Sequence, residues 1–305
     1  PAPSRRRRRA SGGRCRESVV KLLVLVVGAG GQLGGAMAEQ LQTRHTVVAA
    51  TRARLDVTDA RAVDAFVDEV RPDVIVNCSA YTNVDRAEDE PLTALDVNAM
   101  AVRTLARAAA RTDATLVHYS TDFVFDGSID RPLVETDPPN PRGTYGLSKL
   151  LGEWFAADAP RHYVLRVESL FGGPRGRSSI DRILENIRAG RPVRAFADRT
   201  VSPSYVDDVV AATAELLRIG APFGLYHCVN SGWTTWDGLA RELAQLAGRP
   251  EAPIEGVPMA SAGLAVERPL RAAMSNRKLT EAGVPMPDWR DALRRYVESA
   301  GAADR

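Results

Sequence analysis

The amino-acid sequence predicts an α/β protein, a doubly wound parallel sheet followed by a smaller C-terminal substrate lobe. Three observations carry this. Strand-like and helix-like patterns alternate through residues 22–167. The loop Gly28-Ala29-Gly30-Gly31-Gln32-Leu33-Gly34 separates the first strand pattern from the first helix pattern. After Val167 the rhythm breaks into shorter, proline-richer segments.

The elements follow in order. Residues 22–27 form a continuous apolar run, the pattern of a central parallel strand buried on both faces. The glycine loop leads into a helix over 33–43. A second strand is expected at 46–51 and a helix at 60–70. Arg71-Pro72 ends that helix, because a residue before proline is driven out of the helical region. Residues 74–78 read as the third strand, 92–111 as a long helix, 115–120 as the fourth strand, 145–157 as a helix and 163–167 as the fifth strand. Beyond lie a loop at 172–177, a helix at 180–189, a strand at 193–196 and an amphipathic helix at 206–217, entered through Ser202-Pro203-Ser204-Tyr205. The expected division is a basic, disordered tail over 1–18, a dinucleotide-binding domain over 19–166 to which 201–225 returns, and a substrate lobe made of 167–200 and 226–305.

A chain of 305 residues can bury a large core. Its net charge of +2 is uneven: residues 1–16 hold seven arginines and no acid, and without them 33 basic residues face 38 acidic ones. The mildly acidic body gives no reason to expect a nucleic-acid partner. Arg5–Arg9, the apolar run 19–27 and Ala36-Met37-Ala38 imitate a secretory signal. Lys21 interrupts that run, and cleavage after Ala38 would remove the first strand and the glycine loop, so a buried first strand is the better reading. No run approaches membrane-span length, so no membrane partner is expected. Cys15, Cys78 and Cys228 make no CxxC and no even framework, which suits a reduced, cytoplasmic setting. The histidines at 45, 118, 162 and 227 lack metal-ligand spacing, so no metal site is expected, and His118 reads as structural.

The chemistry lies at the strand ends. Gly28, Gly31 and Gly34 follow a strand and open a helix, where backbone can approach a pyrophosphate and a helix N-terminus favours its charge. At the end of the second strand stands Arg52, with no acid beside it; a guanidinium suits a ribose 2′-phosphate, and Asp56-Val57 can flank the adenine. Ser79, Ala80 and Tyr81 follow the third strand into the cleft, with Thr82 and Val84 beyond them. Asn98 sits inside a helix that Asn does not favour, which points to a backbone or cofactor contact. Ser120-Thr121-Asp122 ends the fourth strand, where a hydroxyl can donate to a carbonyl oxygen as charge develops. Tyr145 and Lys149, four apart, share one helix face, on which an ammonium can lower the pKa of a phenol. Glycine loop, hydroxyl, Tyr and Lys in this order predict a nicotinamide-dependent oxidoreductase.

These residues resemble the extended short-chain dehydrogenase/reductase family over residues 21–298. The marks are Val-Val-Gly-Ala-Gly-Gly-Gln-Leu-Gly (26–34), Arg-Pro-Asp-Val-Ile-Val-Asn (71–77), Ala-Tyr-Thr-Asn-Val-Asp-Arg-Ala-Glu (80–88), Tyr-Ser-Thr-Asp-Phe-Val-Phe-Asp-Gly (119–127) and Tyr-Gly-Leu-Ser-Lys-Leu-x-Gly-Glu (145–153). Gln32, and Thr121 in place of the more general Ser, favour the branch that reduces dTDP-linked 4-keto-6-deoxy sugars over the sugar epimerases. The resemblance implies a Rossmann fold, NADPH (or NADH) as cofactor, and reduction of the sugar C4 ketone to give dTDP-L-rhamnose. It implies that Thr121 polarises the ketone, that Tyr145 supplies the proton, and that Lys149 tunes Tyr145 while holding the nicotinamide ribose. Gln32 and Leu33 join the cofactor loop. The nucleotide sugar would meet Thr82, Val84, Thr121, Asp122, Leu170, Ser202 and Arg268.

The family often has Arg-Thr-Ser-Trp after the fifth strand; here Arg166-Val167-Glu168-Ser169-Leu170 puts Leu170 for that Trp. Some members carry a Glu for a magnesium-bridged dimer, and Ala36 stands there. Arg271-Ala272-Ala273 replaces a more polar run. The expected assembly is a monomer or homodimer. Alternatives are another nucleotide-sugar 4-ketoreductase or epimerase, or a non-catalytic cofactor-binding regulatory subunit. Intact Thr121, Tyr145 and Lys149 argue against the last.

Overall fold

The computed structural model describes residues 21–174 and 178–303. The basic tail and the end of the loop expected at 172–177 lie outside the described residues. The chain begins with β1 (Leu23–Val27), α1 (Gln32–Leu41), β2 (Thr46–Ala50), α2 (Ala60–Val70) and β3 (Val74–Asn77). Short helices α3 (Arg86–Asp89) and α4 (Pro91–Leu95) follow, then a π-turn (Asp96–Met100) that runs on into α5 (Ala101–Thr112). Next come β4 (Thr115–Thr121), α6 (Thr144–Ala156) and β5 (His162–Val167).

The second half holds β6 (Leu170–Phe171), α7 (Ser179–Arg188), β7 (Val193–Phe196), β8 (Thr200–Val201), β9 (Ser204–Tyr205), α8 (Val206–Ile219) and β10 (Gly224–His227). It closes with β11 (Thr234–Thr235), α9 (Trp236–Leu246), β12 (Ile254–Val257), α10 (Arg277–Glu281) and α11 (Trp289–Ala303). The single helix expected over 92–111 is thus divided by a π-turn, which widens the helix at Asn98.

Six parallel strands form the central sheet in the order β10-β5-β4-β3-β1-β2. Alternate residues of these strands face opposite layers. Val24, Val26, Val74, Val76 and Leu165 pack with α1, α8 and Leu279 on one face. Leu25, Val27, Ile75, Leu116 and Val164 pack with α2 and α5 on the other. Burial on both faces explains why the strands read as unbroken apolar runs. The α2 helix starts where the Asp59 side chain accepts from the amides of Arg61 and Ala62, and it stops at Arg71 in the left-handed conformation (φ 48°).

A separate core joins α7, α9 and α11 to the paired strands β7 and β12, with Leu184, Val193, Leu239, Leu243, Trp289 and Leu293 at its centre. This small lobe lies beyond β5, and its segment 199–205 returns toward the carboxyl edge of the sheet. The chain leaves β1 to one side for β2 and crosses back to β3, so the carboxyl ends of β1 and β3 flank the crevice where such sheets bind ligands.

Candidate active site

The glycine loop forms at that crevice. Gly28 takes φ +76°, and its amide donates to Ala50 O at 2.9 Å. A Cβ on Gly28 would lie 2.6 Å from Ser79 N, so only glycine lets β1 and β3 come this close. Gly31 caps α1 without a side-chain hydrogen bond, so the first amides of α1 are not engaged by a capping side chain. This matches the cradle that an anionic pyrophosphate needs. Arg52 is 91% exposed at its side chain and has Asp56 Oδ2 3.9 Å from its Nε. Thr58 hydrogen bonds hold the Asp56 carboxyl below its ordinary range. Val57 is buried beneath.

Beside the loop, Ser79 Oγ donates to Asn77 Oδ1 at 2.6 Å, and Asn77 Nδ2 donates to His118 Nδ1 at 3.2 Å. Ala80 and Thr82 are exposed at the cleft. The glycine loop, Arg52, Ser79 and Lys149 therefore fit a dinucleotide: a tight cradle, an uncapped helix start, an exposed cation and a buried ammonium.

The reacting groups meet at the end of β4. Thr121 Oγ1 lies in hydrogen-bond contact with Asp122 Oδ1 (3.0 Å) and accepts from Phe123 N (3.3 Å). Tyr145, on α6, lies beside Thr121 and packs edge-on against Phe123 with ring centroids 5.4 Å apart. Burial pushes the Tyr145 phenol up to about 12; the neighbouring Thr121 hydroxyl pulls it down and the Asp122 charge pushes it further up. Lys149 Nζ donates to Tyr119 O at 2.5 Å and lies 3.5 Å from His118 Nε2. Burial brings Lys149 down to about 8, opposed by the Glu153 charge.

The expected lowering of Tyr145 by Lys149 is therefore corrected. The two share a helix face, but the ammonium turns to a β4 carbonyl and desolvation dominates the phenol. Val84, Phe123, Arg142, Tyr145, Val266 and Pro269 line a small cleft in front of Tyr145. A larger groove of about 1250 Å³ runs between α1, α8 and the turn at 283–287 and holds none of these residues.

Other expected contacts are placed differently. Asn98 is fully buried, not at the cofactor surface: its Oδ1 accepts from Tyr81 N at 2.8 Å, and its Nδ2 donates to Tyr81 O and Ser148 Oγ, each at 3.0 Å. It holds the Tyr81 loop onto α6. Tyr81 itself donates its hydroxyl to Glu90. Gln32 Nε2 donates to Gly172 O at 2.8 Å and ties the glycine loop to the turn after β6, while Leu33 and Gly34 are buried beneath it. Ser202 is fully buried, its hydroxyl engaged with the Met274 backbone and its amide with Glu168 Oε2. Leu170 is half-buried and packs on the apolar core beside α1 and α8. Counting from Arg166, the position of the family's Trp falls on Ser169, which takes φ 48°. Arg268 makes a two-oxygen bond to Asp85 at 2.8 and 2.9 Å, bridging the lobe to the loop after β3.

Among groups the sequence did not single out, Arg199 reaches Asp122 at 3.4 Å, and Arg166 forms a buried two-point pair with Glu153 at 2.7 Å. His118 bridges Asn77 and Lys149. Its one signal was a polar residue amid the apolar run of β4. Among the described residues no three His, Cys, Asp or Glu side chains gather as a metal site. Ala36 is buried in the α1 layer.

Fold and site together define an NAD(P)-dependent reductase of the extended short-chain dehydrogenase/reductase class. The chain belongs to the family described as "RmlD substrate binding domain", whose model matches residues 22–301. It is 34% identical over 295 residues to a dTDP-4-dehydrorhamnose reductase of Mycolicibacterium smegmatis, covering 95% of this chain and 89% of that protein. It is also 34% identical over 284 residues to a probable dTDP-4,6-dihydroxy-2-methyloxan-3-one 4-ketoreductase of Streptomyces antibioticus, covering 92% and 96% of the two chains. Among solved structures it is similar to a dTDP-4-dehydrorhamnose reductase of Bacillus anthracis in complex with NADP, with TM-score 0.87, 30% identity, and 92% of this chain and 100% of that one covered.

Proposed function

We propose that this protein reduces the C4 ketone of a dTDP-linked 4-keto-6-deoxy sugar with NADPH, as a dTDP-4-dehydrorhamnose reductase does. The observation that carries the reading is the placing of Tyr145 beside Thr121 at the carboxyl edge of the sheet, with Lys149 one helical turn beyond and the glycine cradle beside it. The reduced nicotinamide, when bound, supplies a hydride to the carbonyl carbon. Tyr145, its phenol held protonated at neutral pH, gives its proton to the ketone oxygen. Thr121 donates to the same oxygen as negative charge builds there. Lys149 orients the nicotinamide ribose, Gly28, Gly31 and the start of α1 hold the pyrophosphate, and Arg52 takes the 2′-phosphate.

Val84, Thr82 and the small lobe, held across the cleft by Arg268 and Asp85, close over the sugar nucleotide. The dinucleotide half is the sheet with its flanking helices, and the lobe of α7, α9 and α11 is the substrate half. A cytoplasmic setting, where NADPH and sugar nucleotides meet, and a monomeric or homodimeric state complete the reading. Among the described residues no helix is long and apolar enough to cross a membrane.

The test is NADPH consumption over a panel of dTDP-4-keto-6-deoxy sugars. Turnover of 4-keto-rhamnose with a dTDP-L-rhamnose product is the expected result. Turnover of a different panel member alone moves the substrate and keeps the chemistry. No consumption with any member overturns the reading.

A further inference from the structure

A run of polar contacts passes inside the sheet from the cofactor crevice to the Lys149 nitrogen, and the reaction above does not use it. It begins at Ser79, just beyond β3, whose amide and hydroxyl both donate to Asn77 Oδ1, at 3.1 and 2.6 Å. It crosses from β3 to β4, where Asn77 and His118 stand opposite each other in register and Asn77 Nδ2 meets His118 Nδ1 at 3.2 Å. It ends at His118 Nε2, 3.5 Å from Lys149 Nζ. Asn77 and His118 are fully buried, and Lys149 is buried beside them.

The backbone amide of Ser79 sets the direction of every contact in this run. It can only donate, so the Asn77 oxygen must face it and the Asn77 nitrogen must face His118. That nitrogen also only donates, so His118 Nδ1 accepts and bears no hydrogen. Burial, and then the Lys149 charge, keep the imidazole neutral. A neutral imidazole carries one N–H, which therefore lies on Nε2 and faces Lys149 Nζ. An ammonium has three donors and nothing to accept with, whereas an amine has a lone pair. Either form donates to Tyr119 O, at 2.5 Å from Nζ. A buried N–H without an acceptor is destabilising, so the imidazole favours the uncharged lysine.

We infer that His118 is a positioning residue for Lys149: held by Asn77 as the Nε2–H tautomer, it aims that N–H at Nζ and favours the amine over the ammonium. The other groups facing Lys149 act differently. Glu153, one turn further along α6, favours the ammonium, but both its oxygens are held by Arg166 from β5. Cys78, after β3, is kept as a thiol by burial. Tyr145, one turn back, keeps its proton to about 12. The direction agrees with Lys149, which burial brings down to about 8. The lysine thus loses its charge just above neutral pH, and with it a hold on the nicotinamide ribose. That last consequence rests on the reductase reading; the tautomer does not.

Nitrogen-15 NMR of the histidine side chains in the cofactor-free protein tests the tautomer. At pH 7 His118 should carry its hydrogen on Nε2 and leave Nδ1 bare, and the Nε2 resonance should move as Lys149 titrates near pH 8. Hydrogen on Nδ1 with Nε2 bare overturns the inference, because the imidazole would then accept from the ammonium and stabilise it. His118→Asn supplies the second measurement: its oxygen can still accept from Asn77, but it has no N–H at the Nε2 position. The alkaline limb of kcat/KM for NADPH reports the free enzyme. It should move up by about one pH unit in the variant, the scale of one hydrogen bond. A merely structural role would lower kcat/KM at every pH without moving the limb, and that result overturns the inference. If the variant does not fold, the wild-type spectrum alone decides. The expected spectrum in a protein that reduces no sugar on the panel would retain the role of His118 and reject the reductase reading.

Discussion

At the scale of the residue, Tyr145 and Arg52 make the sharpest statements. Tyr145 is partly buried, set beside Thr121 and held protonated to about pH 12, so its proton is loaded throughout the physiological range. That suits the reductive direction, in which the phenol gives a proton. General acid catalysis contributes about 10²- to 10⁴-fold. Tyr145→Phe should lower kcat by a factor in that range and leave the NADPH Kd within about twofold; near-full turnover in a steady-state assay would remove Tyr145 from this role. Arg52 projects from the end of β2 with its side chain almost wholly in solvent and the Asp56 carboxylate 3.9 Å from its Nε. A charge-assisted contact to a 2′-phosphate should favour NADPH over NADH by about tenfold in kcat/KM. Arg52→Ala should abolish most of that preference through the NADPH term alone. Equal kcat/KM for the two cofactors in the unaltered protein would show that the arginine does not read the phosphate.

At the scale of the element, the parts set by local spacing were legible and those set by distant contact were not. The glycine loop, the strands and the Tyr145–Lys149 helix are written in short stretches of sequence, and each forms close to its expected bounds. The π-turn at Asp96–Met100 has no such signature, because it arises where a helix yields to a side chain turned inward. Asn98 is that side chain, and its amide satisfies the backbone of Tyr81 from 17 residues away. The approach of Glu168 to Asp122 depends on strand register, and that of Arg199 on a chain 77 residues distant. Replacing Asn98 by Ala leaves the buried Tyr81 amide and Ser148 hydroxyl without that partner, a loss of about 1–3 kcal/mol. The melting temperature should fall by several degrees, and NADPH should bind more weakly because the Tyr81 loop borders its site. An unchanged melting curve would mean that the π-turn is not held by Asn98.

At the scale of the whole molecule, the sheet stays folded with two histidines sealed inside it. His118 lies on β4 and His227 at the end of β10, and both are fully buried. Burial lowers each, assisted by Lys149 at His118 and by Arg166 at His227, which is brought down to about 3. In the folded protein His227 therefore remains neutral down to that pH. In the unfolded chain a histidine takes its proton near pH 6.5. Between those values the unfolded state binds more protons, so stability rises with pH across the interval and is lost as pH falls from about 6.5 toward 3. The stability at stake is of the order of a few kcal/mol for a fully buried imidazole. His227→Gln keeps a polar side chain near Arg166 and removes the titration. Scanning calorimetry at pH 7.5 and pH 5 should show wild type losing more melting temperature on acidification than the variant does. Carboxylate protonation acts on both proteins and drops out of the comparison. Parallel losses in the two would mean that His227 binds its proton equally in the folded and unfolded chains, against the burial seen at the end of β10.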